Sequence, residues 1–283
     1  MGGPLSMGLL TLYPKKVGSA AAGALSRVTL PRSLRAPIYG WFARVYGANV
    51  DEADRPLDGY ESFLEFFTRR LKPGLRPQDF QVPGGVNSPV DGRLIAEGKV
   101  EGGTLIQAKG LAYALSDLLD GDPLVPAFEG GQYLTLYLAP KDYHRIHVPL
   151  PGRCLTVGRV EGELWPVNDA STASTPRLYV RNRRAYWIAE GTGPCEQLSV
   201  AVVLVGATHV GGVVIDRRWL GGQALPSRGR IEAGSLPCAP GDDLGVFELG
   251  STVVLLIGGA RKGDWKPSRD LGPIKMGERL GSF

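Results

Sequence analysis

The chain is short of cysteine, histidine and long apolar runs. Its three cysteines, Cys154, Cys195 and Cys238, are odd in number and far apart, and no CxxC occurs. This argues against a disulfide framework or a zinc knuckle and fits a reducing compartment, each thiol reading as a small buried residue. No apolar run approaches the roughly 18 residues of a membrane-spanning helix. Gly18–Leu25 is too short and too rich in Gly and Ala for one. No clear apolar h-region with a following cleavage site marks a signal peptide. Acidic residues are missing from positions 1–50, which carry Lys15, Lys16, Arg27, Arg32, Arg35 and Arg44. The net charge of +4 therefore hides a basic arm ahead of a mildly acidic body. Nucleic acid and anionic membrane are the usual partners of such an arm. An acid-free start containing Arg and Ser also has the character of a transit peptide.

What is abundant is glycine, 40 of 283 residues, together with 22 prolines. That is about twice the average glycine share and predicts many tight turns between short strands. In "PIYGWFARVY", Ile38, Trp41, Phe42, Val45 and Tyr46 share one helical face, flanked by Arg35 and Arg44. This pattern fits an interfacial helix on anionic lipid, or a helix packed on a core. Aromatic and apolar residues between the charges favour membrane over nucleic acid. In "GYESFLEFFTRRLKPGLRP", Leu64, Phe67 and Leu71 share a face with Phe63 beside them, which predicts a second helix ended by Pro73-Gly74.

From about residue 82 the texture changes to short β-like runs between Gly, Pro and Asp turns. "QYLTLYLA" alternates, with Leu134, Leu136 and Leu138 on one face. "LSVAVVLVGA" and "STVVLLIGG" are continuous apolar runs, the mark of strands covered on both sides. "YALSDLLDG" predicts a short helix and "NDASTASTPR" a polar loop. No repeat of 20–50 residues is present. The expected fold class is α+β. Amphipathic helices are expected over residues 1–80 as a membrane-associating region, followed over 81–283 by a β-rich domain of mostly antiparallel or mixed sheets.

Two of the three histidines, His144 and His147, stand together in "KDYHRIHVP". Pro149 and the β-like run before them favour an extended segment. No third metal ligand is evident, so the functional reading is general acid–base work and the bland one two satisfied loop histidines. Asp91 in "SPVDGRL" is a turn former before Gly92, or a carboxylate that orients a histidine. Ser251 in "ELGSTV" lacks a GxSxG elbow. Its hydroxyl adjoins the Gly250–Ser251 peptide bond, so once activated it can attack the preceding carbonyl in an N→O acyl shift.

The stretches "FTRRLKPGLRP", "SPVDGRL", "IQAKGLAYAL", "YLAPKDYHRIHVP", "GELWPVN", "RNRR", "VGATHVG" and "GDDLGVFELGSTVVLL" occur in that order. Together they resemble the phosphatidylserine decarboxylase family, over most of the chain after about residue 60. The resemblance implies self-cleavage between Gly250 and Ser251, giving a β chain 1–250 and an α chain 251–283. It implies that Asp91 orients His147, that His147 deprotonates Ser251, and that Ser251 becomes a covalent pyruvoyl cofactor. That group would hold the substrate amine as a Schiff base while CO2 leaves. His144 is the candidate proton donor in decarboxylation, and no metal is expected. The implied substrate is phosphatidylserine and the product phosphatidylethanolamine. The implied setting is a homodimer peripheral to an anionic membrane, on the cytoplasmic face of a bacterial-type cell membrane, with the mitochondrial inner membrane as alternative. One departure is His209 in "VGATHVG", where many relatives are expected to carry Asn. Two other readings use the same residues. A Ser251-His147-Asp91 hydrolase or a non-catalytic lipid-binding domain would each leave the chain intact.

Overall fold

The computed structural model describes residues 23–79, 82–208, 212–248, 251–259 and 265–283. His209, Leu249, Gly250 and residues 1–22 of the basic arm lie outside the described residues. Among those described, sixteen strands numbered in chain order form four sheets. The largest has the order β11 (Gly229–Cys238), β7 (Gly152–Val160), β8 (Arg184–Gly191), β9 (Leu198–Gly206), β13 (Ser251–Gly259), β5 (Gln132–Leu138), β2 (Gly92–Lys99) and β15 (Gly272–Ile274). A three-stranded sheet runs β10 (Val213–Ile215), β12 (Asp243–Phe247), β6 (Arg145–His147). A second runs β1 (Gly85–Asn87), β16 (Arg279–Ser282), β14 (Lys266–Pro267), and β3 (Thr104–Ala108) pairs with β4 (Leu111–Ala114). All these pairings are antiparallel. The fold is α+β, as the sequence predicts.

The continuous apolar runs are strands buried on both faces. Val253, Leu255 and Ile257 pack with Leu134, Leu136 and Leu138 into one core. Val254 and Leu256 pack with Tyr133, Ala201 and Val203 into the other. Side chains alternate sides along a strand, so a strand in the middle of the sheet must be apolar at every position. The first core also takes in Ile146, Leu244, Phe247 and Val213 from the β10-β12-β6 sheet, which therefore covers that face.

Helix α1 (Arg32–Tyr46) divides the expected apolar face. Tyr39 and Phe42 turn inward to Phe63, Phe66 and Phe67 in a separate aromatic cluster. Leu34, Ile38, Trp41 and Val45 stay exposed, Trp41 by 59%. Helix α2 spans only Phe63–Phe67 and does not run to Pro73. Ser62 caps its start by accepting the Glu65 N–H, and the Thr68 hydroxyl donates to the Leu64 carbonyl at its end. Residues 68–71 then leave the helix. Arg145 Nε donates to the Thr68 carbonyl at 2.9 Å, and Leu71 bridges to Ala53. Tertiary contacts override the helical period there. The expected helix in 113–121 is α3 (Leu115–Leu118). The expected polar loop 168–177 instead holds α4 (Asp169–Ser174), because Asn168 accepts the Ser171 N–H as an N-cap. Helix α5 (Leu178–Arg181) follows. No helix among the described residues is long and apolar enough to cross a membrane.

Candidate active site

Ser251 is the first residue of β13, opposite Leu138 at the end of β5 and Gly206 at the end of β9. The same edge of the sheet holds the start of β2, where Gly92 follows Asp91. A Cβ on Gly92 would lie 2.4 Å from the Tyr137 carbonyl oxygen, so only glycine lets the Asp91 turn come this close to β5. The segment Ala139–Tyr143 then leads from Leu138 to His144. Register alone thus gathers Asp91, the histidine pair and Ser251 at one end of the sheet.

Alternation puts the Ser251 side chain on the face of Val253 and Leu255, toward the small sheet that carries His147. Its Oγ is buried and has no hydrogen-bond partner. The Thr135 and Thr252 hydroxyls are also unpartnered, but they lie within the strands and not at a strand head. Three residues of sequence, 248–250, separate the end of β12 in one sheet from Ser251 at the start of β13 in another.

The two histidines have different surroundings, as i and i+3 in an extended segment must. His144 is fully buried, its ring 4.1 Å from that of Phe67. Its Nδ1 lies 2.8 Å from the Asp142 carbonyl, and its Nε2 has no partner. A carbonyl only accepts, so the Nδ1 carries the hydrogen and Nε2 presents a lone pair. Burial pushes the His144 pKa down to about 3, only partly opposed by that bond, so the ring is neutral. His147 makes two bonds. Its Nδ1 donates to the Gly241 carbonyl at 2.8 Å, and its Nε2 accepts from Tyr143 Oη at 3.0 Å. Gly241 has φ +84°, a left-handed conformation that suits glycine. Burial lowers the His147 pKa as well.

Asp91 does not contact the His147 ring in these bonds. Its carboxylate takes Arg76 Nε and Nη2, at 2.9 Å to Oδ1 and 2.5 Å to Oδ2, and the Met276 N–H at 2.9 Å. Its turn is tied to His147 through the backbone, where the His147 N–H donates to the Pro89 carbonyl at 2.9 Å. The carboxylate beside the ring is Asp243, with Oδ1 3.6 Å from Nδ1. Asp243 sits next to a one-residue bulge in β12 and also pairs with Arg70 at 2.6 Å.

Reading the sequence missed Arg69, Arg76, Tyr143 and Asp243. All four lie inside stretches that signalled the family, but nothing local marks which side chain meets which. A cavity of about 480 Å³ adjoins the site, lined among others by Asp91, Arg93, Tyr137, Lys141, Asp142 and Lys275. Among the described residues no group of three or more His, Cys, Asp or Glu side chains is placed to hold a metal ion.

Comparison with known proteins gives first a class, carboxy-lyases made as proenzymes. Three relatives are each named phosphatidylserine decarboxylase proenzyme. That of Anaeromyxobacter sp. (strain K) is 43% identical over 98% of both chains. That of Myxococcus xanthus (strain DK1622) is 36% identical over 97% of both. That of Pseudomonas putida (strain F1) is 38% identical over 95% of this chain and 94% of its own. The family model described as phosphatidylserine decarboxylase matches residues 63–282. The chain belongs to the phosphatidylserine decarboxylase family.

Proposed function

We propose that this chain is a self-processing enzyme that decarboxylates phosphatidylserine to phosphatidylethanolamine. Family membership gives the reaction, and one observation carries the assignment of its centre. That observation is a buried, unpartnered Ser251 hydroxyl at the head of the central strand, at the end of the sheet from which the chain runs on to two buried histidines.

Processing starts when Ser251 Oγ loses its proton and attacks the Gly250 carbonyl carbon. The C–N bond breaks and an ester to Oγ forms. Loss of the Ser251 α-proton then expels the Gly250 carboxylate, which keeps the former Oγ as one of its oxygens. The dehydroalanine left at 251 takes up water and releases ammonia, leaving a ketone. No redox partner is needed. Both chains stay bound, because β12 is held by β6 and β10, and β13 by β5 and β9. Asp91, His147 and Ser251 form the processing set. His147 is neutral and offers a lone pair at Nε2, but it must leave Tyr143 Oη to reach Ser251.

A second reading is favoured by one observation. Of the two histidines, His144 already has a free Nε2, and continued alternation places it on the side of Ile146, which faces the core shared with β13. In that reading His144 is the base for Ser251.

A pyruvoyl group fits at position 251. The serine is enclosed, and its Oγ makes no bond that conversion would break. When formed, the group supplies a ketone for the substrate amine and a sink for the electrons that CO2 leaves behind. The free Nε2 of His144 is the group that passes a proton to the α-carbon after decarboxylation. Burial keeps that proton weakly held. The exposed stripe Leu34, Ile38, Trp41, Val45, with Arg44 in the last turn of α1, is the surface that rests on anionic lipid at the cytoplasmic face.

The test is a denaturing gel with intact mass of the purified protein. Two chains, 1–250 and a 251–283 fragment blocked to Edman sequencing, are expected. A single full-length chain with an ordinary serine at 251 overturns the reading.

A further inference from the structure

The segment Phe67–Arg70 lies along the strand that carries the histidines. The Phe67 ring packs on His144, the Thr68 carbonyl accepts from Arg145, and Arg70 pairs with Asp243 beside His147. Arg69 is the residue of this run without such a bond. It is only 3% exposed, and its Nε and Nη1 have no hydrogen-bond partner. The Phe66 ring lies 5.3 Å from the guanidinium carbon. Arginine stays charged in proteins, and leaving a buried charge and two N–H groups without an acceptor is costly. The acids around it are already engaged: Glu52 by Arg76, Asp91 by Arg76 and the Met276 N–H, and Asp142 by the Ala139 N–H. Its neighbours in the chain, Phe67 against His144 and Arg70 against Asp243, hold Arg69 next to the histidine segment. Asp91 and Asp142 are also walls of the adjoining cavity.

We propose that Arg69 is the receptor for the phosphodiester of the substrate headgroup. This rests on the phosphatidylserine reading above. The headgroup offers two anions, a carboxylate and a phosphodiester. An arginine on the carboxylate would stabilise the ground state and lose its partner as neutral CO2 departs, which slows the chemical step. The phosphodiester keeps its single negative charge from substrate to product. A fixed guanidinium fork there holds the lipid in register through the whole reaction without opposing the loss of CO2.

The test compares wild type with Arg69→Met and Arg69→Lys. Phosphatidylserine is supplied in non-ionic detergent micelles, and glycerophosphoethanolamine, which has the phosphodiester and no carboxylate, is the inhibitor. Arg69→Met is expected to be cut into its two chains and to melt no lower than wild type, since it removes an unpaired buried charge. Its KM should rise about tenfold to a hundredfold with a smaller change in kcat, and inhibition by glycerophosphoethanolamine should weaken by a similar factor. Arg69→Lys should fall between. An Arg69→Met chain that is uncut or unfolded makes Arg69 part of processing or of the fold and overturns the proposal. So does a raised KM with unchanged inhibition, which would assign Arg69 to the carboxylate. An uncut wild type is a separate result that fails the proposed function itself.

Discussion

Arg76 and Asp91 form a forked ion pair, with Nε and Nη2 of the guanidinium at 2.9 and 2.5 Å from the two carboxylate oxygens. The Arg76 side chain is only 5% exposed and its Nη2 also reaches Glu52 at 2.6 Å. Removing one partner of such a buried set leaves the others charged and unpaired. Arg76→Gln is therefore expected to lower stability by about 3–5 kcal/mol. Urea unfolding monitored by tryptophan fluorescence checks this, and a change under about 1 kcal/mol would show the pair to be exposed in solution.

Two carboxylates compete for the role of orienting His147. The family resemblance assigns it to Asp91, whereas Asp243 is the one at 3.6 Å. If Asp91 is the orienting group, it must exchange Arg76 for the imidazole during processing. Asp91→Asn is then expected to leave the chain uncut, and Asp243→Asn to be cut more slowly than wild type but to completion. Gel densitometry after timed expression distinguishes them. The reverse ranking would move the role to Asp243.

Ser251→Ala should give one uncut chain, because no nucleophile remains. It should also be at least as stable as wild type measured before cleavage, since the hydroxyl removed is buried and bonded to nothing. A gain of up to about 1 kcal/mol is expected. An uncut variant that has lost several kcal/mol would mean that misfolding, not chemistry, stops the cut.

The strands were legible because burial on both sides of β9 and β13 writes an unbroken apolar run. The gathering of Asp91, the histidines and Ser251 was legible only through the resemblance, since strand order is not a local property. Helix α2 reads four or five residues too long because the pull of Arg145 on Thr68 comes from 77 residues away. Asn168 as an N-cap was legible in principle, but "NDASTASTPR" also fits a loop. The partners of Asp91 could not be read at all. Met276 lies 185 positions from it, and nothing in either segment names the other.

Stability should fall on mild acidification. An unfolded histidine takes a proton below about pH 6.5, while burial holds the His144 pKa down at about 3. Between those values the unfolded state binds one more proton, so stability rises with pH. Going from about pH 7.5 to 5.5 costs about 1.4 kcal/mol from His144 alone, and His147 adds in the same direction. Urea midpoints of Ser251→Ala across this range should show the loss. Adding His144→Gln should remove His144's share, and an unchanged slope would place that histidine in contact with water.

The bond between Tyr143 Oη and His147 Nε2 offers a test of which histidine starts the proposed processing. If His147 is the base, the tyrosine hydroxyl competes for the lone pair that Ser251 needs. Tyr143→Phe frees it at the cost of one hydrogen bond, worth about 1 kcal/mol, so cleavage should run about fivefold faster. His147→Ala should not cleave, and His144→Ala should cleave but fail to release CO2 from phosphatidylserine. If His144 is the base, Tyr143→Phe leaves the cleavage rate unchanged and His144→Ala is the uncut chain. Pulse-labelled chains followed on a gel give all three rates, and the labelled carboxyl carbon of the lipid gives the decarboxylation.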